Sequence, residues 1–418
     1  MTAIPSTWIE TTLGAVVPYG ATVKAEPGDI APETWVLELE DIEKDTTKVL
    51  KRLSFADRQS RSTKNRFDAG DVLYGKLRPY LNKVIFADRP GVCTTEIVPI
   101  KPTDALNGRY LFHWLRHPRF LTYATEVSHG VNMPRLGTEA GRQAPFVLAP
   151  KNEQGRIADK LDRVLVRVDA VNSRLASIAP ILKRFRQSVL STATSGRLTE
   201  DWRQSHCLIE PRALSLGDVI RVSSGDGLTA KEMHSEGGIP VYGGNGVNGF
   251  HSKSNVSEPT IVIGRVGFYC GSVHLTPALA WITDNALRVK FDSATLNRNF
   301  LFYALQGTDL RKNMSSTAQP VISGQKIYPL AFNLPGLKEQ TEIVRRVEIL
   351  FAFADRLQAR LQTALTATER MTPALLAKAF RGELVQQDPN DEPASELLRR
   401  LQADRPASKS TQGKRAAA

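Results

Sequence analysis

The stretch NEQGRIADKLDRVLVRVDAVNSRL, Asn152 to Leu175, is met again as KEQTEIVRRVEILFAFADRLQARL, Lys338 to Leu361. Aligning Gln154 with Gln340 gives a shift of 340 − 154 = 186 residues, which also brings Glu153 onto Glu339, Ile157 onto Ile343, Asp169 onto Asp355 and Leu175 onto Leu361. Further along, Gly196 and Leu198 fall on Gly382 and Leu384. A repeat of this length indicates one structural unit used twice.

Within the first copy, apolar side chains recur at Leu161, Val164, Val168, Val171, Leu175, Ile178, Leu182, Phe185 and Val189. The alternating spacing of three and four is a heptad seam. The same register in the second copy gives Val347, Leu350, Ala354, Leu357, Leu361, Ala364, Thr368, Met371 and Leu375, a weaker seam in the same phase. Two stripes this narrow need each other for burial, so the copies are expected to pair antiparallel as a spacer. Asn152 and Lys338 each follow a Pro-containing turn and start the helices, while Gly196 and Gly382 lie beyond their ends. From Asn152 to Leu190 the first helix would run about 58 Å. Pro180, inside the first seam, predicts a kink or break.

The sequence between the helices repeats more faintly. DVLYGKLRPYLNKVIFADRPGVCTTEIVPIK aligns with TIVIGRVGFYCGSVHLTPALAWITDNALRVK, placing Gly75 on Gly264, Thr94 on Thr283 and Lys101 on Lys290. Each block begins near a Leu-Gly pair, Leu13-Gly14 and Leu216-Gly217, and ends in an apolar, Pro-bearing run. Short β-branched and aromatic runs read as strands, with a helix such as Tyr110 to Arg116, so each block is α+β. The chain then divides into block 1–150, helix 151–203, block 204–334, helix 335–390 and a partly disordered tail 391–418. Ser395 to Gln402 fits a short helix capped by Ser395, with disorder after Asp404. The Gly-rich run at Gly243, Gly244, Gly246 and Gly249 fits a hairpin, or a phosphate cradle without the Lys-Ser/Thr of a P-loop.

A length of 418 residues suggests two or three domains, and 41% hydrophobic content suffices for folding in water. No apolar run approaches a membrane span, and the N-terminus lacks signal-peptide character, so a cytoplasmic location is expected. The three cysteines are far apart and read as reduced thiols. The net charge of +12 points weakly to a polyanionic partner, and the excess is spread along the chain. The densest run is Lys48 to Arg66, where Lys48, Lys51, Arg52, Arg58, Arg61, Lys64 and Arg66 face only Asp57; a DNA-binding face or a solvated loop would both produce it.

No catalytic constellation is evident: there is no GxGxxG after a strand, no GxxxxGK[ST] and no Asn-Pro-Pro-aromatic tetrapeptide. His113 and His117, four apart beside Phe112 and Trp114, lack a third ligand nearby and fit packing or surface roles better than a metal site. The competing readings are a coiled-coil tether and the specificity half of a fused methyltransferase-nuclease.

The paired helices headed by NEQ and KEQ, with GDVLYGKLRPYLNK, PVYGGNGVNGF, VIGRVGFYCG and the tail GELVQQDPNDEPASELLRR, resemble the specificity subunits of type I restriction-modification systems. The resemblance covers essentially the whole chain. It implies two target-recognition domains on two helices with pseudo-twofold symmetry, reading a split double-stranded DNA sequence in a host-defence DNA-methylation complex. It implies a non-catalytic chain that docks two methyltransferase subunits and restriction subunits, which would bring S-adenosylmethionine, ATP and magnesium. Side chains suited to phosphates or base edges are Arg58, Arg61, Lys64, Lys76, Arg78, Asn132 and Arg135 in the first block. In the second they are Tyr242, Asn245, Asn248, His251, Lys253, Arg265, Thr317 and Gln319.

Overall fold

The computed structural model describes residues 4–313 and 321–403. Two compact units emerge, and neither is one continuous stretch: one comprises residues 1–174 and 365–418, the other residues 175–364. Each therefore holds one block, part of the first long helix and part of the second.

The first long helix spans Lys151–Thr194 and the second Leu337–Ala379. At 1.5 Å per residue, 44 and 43 residues correspond to about 66 and 65 Å. The expected break at Pro180 does not occur; the helix continues through it. Proline removes one N–H, leaving the carbonyl of Ala176 without its usual donor. Both residues are exposed, so water can take the bond. The second helix also tolerates an exposed proline, Pro373.

Leu161, Val168, Leu182, Val347 and Leu361 are buried, Leu175 and Leu357 half-buried, while Val171 and Met371 face solvent. In the first unit, Ile157, Leu161 and Leu165 share a core with Leu376, Ala379 and Phe380. In the second, Val189 and Ala193 share one with Ile343, Val344 and Val347. Within each unit, then, the start of one long helix packs with the end of the other.

Both blocks are mixed α and β, and their central strands coincide at a constant shift of 189. In the first, Val72–Gly75 lies between Val84–Phe86 and Ile97–Ile100, antiparallel to both. In the second, Ile261–Gly264 lies between Val273–Leu275 and Ala286–Phe291 in the same way. Each block is also closed by its own ends. Ile9–Thr12 pairs antiparallel with Pro145–Leu148, and Arg212–Ser215 with Ala331–Leu334. The last strand therefore delivers the chain directly to the long helix.

At that delivery point sits a buried glutamine. The Gln154 amide donates to the carbonyls of Ala105 (3.3 Å) and Ala149 (2.8 Å), and its oxygen accepts from the Asn107 N–H (2.8 Å). Gln340 donates to Thr295 and Pro335 (both 2.9 Å) and accepts from the Asn297 N–H (2.7 Å). Asn107 and Asn297 cap the helices Gly108–Leu115 and Arg298–Gly307. Each glutamine thus ties a long helix to the start of its block's own helix.

The segment after the second long helix returns to the first block. Gly382 turns the chain with φ 76°, as Gly196 does with φ 74° after the first helix. Asp391, buried, accepts from Arg156 (2.6 Å) and Asn152 (3.1 Å), and the Ala394 N–H bonds the Thr7 carbonyl (2.9 Å). The helix Ala394–Ala403 then buries Leu397 and Leu398 in the first core. It brackets the expected Ser395 to Gln402; the expected disorder after Asp404 concerns residues outside those described.

Candidate nucleic-acid interface

In the first block the structure separates the candidate cations into two groups. The Arg58 guanidinium lies between Glu40 (2.9 Å) and the buried carboxylate of Asp41, with its side chain only 11% exposed. Burial opposes its charge, but the hydrogen bonds to Glu40 and Asp41 outweigh that and raise its pKa. Lys64 is buried against Glu38 (2.7 Å) and Ser62 (3.0 Å). Both are engaged in ion pairs, and their acids come from residues 38–41, upstream of the basic run. Arg61, in the turn before the strand Lys64–Phe67, remains exposed.

Lys76, Arg78, Asn132 and Arg135 come together. Residues 76–82 follow the central strand Val72–Gly75 and meet the turn of residues 129–135. Leu77 bridges Arg135, and His129 bridges Arg135 to close the turn. The Arg78 N–H bonds the Pro134 carbonyl (2.7 Å) and its guanidinium reaches the Asn132 carbonyl (3.4 Å). The Arg135 guanidinium also bonds Glu96 (3.0 Å), but 47% of its side chain stays exposed. Arg78 holds a left-handed backbone, φ 50°, as does Asn82, φ 49°. Tyr80, between them, is 46% exposed. Sequence reasoning did not single Tyr80 out.

In the second block, the Gly-rich run forms a hairpin: Ile239–Gly243 pairs with Gly246–His251, leaving Gly244 and Asn245 as a two-residue turn. Gly246 takes φ 86°, which a side chain would resist. Asn245 and Asn248 are exposed on this hairpin, and Lys253 is exposed just beyond it. Tyr242 is half-buried, and burial raises its phenol pKa. His251 packs edge-on against Trp281 and its Nδ1 faces the Glu232 carbonyl (3.1 Å). Arg265 is half-buried, with its guanidinium near Ser224 Oγ (3.3 Å) and the Asp284 carbonyl (3.4 Å). Thr317 and Gln319 lie outside the described residues.

The histidine pair is structural. The buried His113 meets Asp162 at 2.7 Å, and its pKa is lowered by burial despite that carboxylate. His117 stacks on Trp114 and accepts the Arg119 N–H through Nδ1; burial first, then Arg119 and Arg381, push its pKa down to about 4. Among the described residues no group of three His, Cys, Asp or Glu side chains could hold a metal, and no helix is long and apolar enough to cross a membrane.

The chain is similar to known proteins in sequence and in fold. The sequence model of the family described as type I restriction modification DNA specificity domain matches residues 213–367. The StySPI type I restriction enzyme specificity subunit of Salmonella potsdam is 32% identical over 347 residues, 74% of each chain. The EcoKI specificity subunit of Escherichia coli K12 is 29% identical over 347 residues, with the same coverage. Two solved structures share the fold. A chain from a type I R-M system, solved to show complex assembly and conformational transition, matches with TM-score 0.70 at 18% identity, covering 91% of this chain and 99% of that one. The HsdS subunit of Thermoanaerobacter tengcongensis matches with TM-score 0.58 at 21% identity, covering 91% and 98%. With a relative 32% identical across three quarters of both chains, this chain belongs to the specificity subunits of type I restriction-modification systems.

Proposed function

We propose that the chain reads a bipartite double-stranded DNA target, one half-site per block, and docks methyltransferase and restriction subunits on the outer faces of its long helices. As a specificity subunit it recognises DNA sequence and is not itself catalytic. What supports the split target is the repetition: two blocks with the same central strands, each tied by the same glutamine bonds to its own long helix. Two like modules joined by helices can present two reading surfaces to one duplex, with the joining element setting the half-site spacing. Exposed arginines and lysines supply salt-dependent phosphate contacts, and base-edge contacts supply sequence. Two methyltransferase subunits, one per repeat, would bring S-adenosylmethionine, and restriction subunits ATP and magnesium, in the cytoplasm where the DNA lies.

The test is methylation-site sequencing of DNA modified by this chain with the methyltransferase subunits of its own system. The expected motif has two defined parts separated by an unspecified spacer. A single uninterrupted motif, or methylation without sequence preference, contradicts the proposal.

A further inference from the structure

The loop after the central strand has the same backbone in both blocks and different chemistry at its tip. Residues 76–82 and 265–271 correspond at the shift of 189 set by the strands. The first and last turn residues are left-handed in both: Arg78 and Asn82 in one, Gly267 (φ 78°) and Gly271 (φ 86°) in the other. The backbone bonds repeat as well. Lys76 N–H bonds Glu96 O (3.0 Å), and Arg265 N–H bonds Asn285 O (2.9 Å). Leu136 N–H bonds Lys76 O (3.0 Å), and Ile322 N–H bonds Arg265 O (2.8 Å). Leu77 bridges Arg135, and Val266 bridges Val321.

On this common frame the tyrosine is the one identical residue, and the two positions just before it differ most in chemistry. Tyr80 and Tyr269 occupy the same position with nearly the same exposure, 46% and 48%. Beside them, Arg78 stands where the second block has Gly267, and Pro79, buried, stands where it has Phe268, which is 83% exposed. Arg78 is the more telling substitution. The turn needs a left-handed residue, glycine meets that need at no steric cost, and the first block carries an exposed arginine there instead. An aromatic as exposed as Phe268 is equally unexplained by folding, since nothing of the core is gained. The loop is nonetheless held firmly: Arg311 donates to the Phe268 carbonyl (2.9 Å) and the Cys270 carbonyl (2.5 Å). Arg311 thereby brings a guanidinium to the Phe268 loop, as Arg135, bridged to Leu77, lies beside the Arg78 loop.

We propose that this loop is the reading head of each block. Tyr80 and Tyr269 make the same sequence-independent contact to a DNA phosphate, Arg78 reads a guanine, and Phe268 reads a thymine methyl group. This rests on the split-target reading and gives it a base chemistry. A guanidinium fits the O6 and N7 acceptors of guanine through two parallel hydrogen bonds, and an apolar side chain at the major-groove edge fits the thymine methyl. The two half-sites are then discriminated by different chemistry on one scaffold.

The experiment is methylation-site sequencing and DNA-binding titration of the complex carrying Arg78→Gly, Phe268→Ala, Tyr80→Phe or Tyr269→Phe, with melting and complex assembly measured in parallel. Arg78→Gly keeps the backbone preference of the turn, so the fold survives. It should lose roughly 10- to 100-fold discrimination at one guanine of a single half-site. Phe268→Ala should relax one thymine in the other half-site. Either tyrosine variant should weaken binding about three- to tenfold for all sequences, leaving the motif unchanged. An intact complex whose motif ignores Arg78→Gly and Phe268→Ala overturns the proposal, and so does relaxation at other bases. Loss of methyltransferase assembly on these substitutions assigns the tip to a protein contact and equally overturns it. A wild-type complex that methylates a split motif upholds the broader reading whichever way the variants fall.

Discussion

Gln154 and Gln340 solve one problem identically, whereas their neighbours Glu153 and Glu339 solve one problem differently. The glutamines bond only backbone groups, and those groups recur wherever the strand-to-helix corner recurs. The glutamates bond side chains. Glu153 accepts from the Trp8 indole (2.8 Å) and the Gln387 amide (2.6 Å), while Glu339 accepts from Thr199 (2.7 Å) and the Arg203 guanidinium (3.0 Å). A buried carboxylate needs donors but does not fix which donors. The joint of a duplicated protein is thus preserved where backbone meets side chain, and it drifts where side chain meets side chain. The blocks drift further still at the tips that face outward.

The most disruptive change should be at the seam. Leu361 is 7% exposed, so Leu361→Asp places a carboxylate in an apolar stripe at a cost of roughly 3–5 kcal/mol. Leu175→Asp, at a half-buried position, should cost less, about 1–2 kcal/mol. Thermal melting and methylation assays of both variants check the order, and equal losses would show the seam is packed differently from its burial. The glutamine comparison is tested by Gln154→Leu and Gln340→Leu. Each orphans two carbonyls and one N–H, so each should lose about 3 kcal/mol, and unequal losses would break the equivalence.

A third prediction separates fold from recognition. Arg58→Met leaves Asp41 buried without its partner and should cost about 2–3 kcal/mol while the methylated motif stays unchanged. Arg61→Ala should change melting by less than about 0.5 kcal/mol. A motif altered by Arg58→Met, in a folded complex, would return that arginine to the DNA surface.

These cases show what was legible in the sequence and what was not. Heptad spacing located both long helices, and the shift of 186 anticipated the paired turns at Gly196 and Gly382, because helical periodicity and glycine punctuation are local. The ion pairing of Arg58 and Lys64 is not legible in the basic run, because their partners, Asp41 and Glu38, stand 17 and 26 residues upstream. Charge density cannot report such pairing. Pro180 does not break the helix, since a proline on a solvated face leaves a carbonyl that water can reach. The tip loops were half visible: Gly267 and Gly271 signal left-handed turns, but Arg78 and Asn82 disguise the same turn in the first block. The alignment that puts Gly75 on Gly264 also puts Arg78 on Gly267 and Asn82 on Gly271, and that pairing is the signal of the shared turn.

The smallest effect concerns pH and sharpens the glutamate comparison. Burial is the main cause of a raised Glu153 pKa, opposed by the Trp8 bond and the nearby Arg156. The folded state therefore holds this proton more tightly than the unfolded chain. The stabilisation linked to it is complete below the ordinary carboxylate pKa and is lost as pH rises through the raised folded value. Relative to Glu153→Gln, which cannot titrate, the wild type should become progressively less stable as pH rises above the ordinary carboxylate pKa, until the raised folded value is passed. A constant difference in melting temperature across that range would contradict the burial argument.

The central claim is that each block specifies one half of the target, and exchanging a block measures it most directly. Residues 204–334 are replaced by the corresponding block of another type I specificity subunit, the chimaera is assembled with the original methyltransferase subunits, and its methylation sites are sequenced. The account predicts a motif with one half-site replaced by that of the donor and the other half-site intact. An assembled, active chimaera in which both halves change, or neither does, contradicts it.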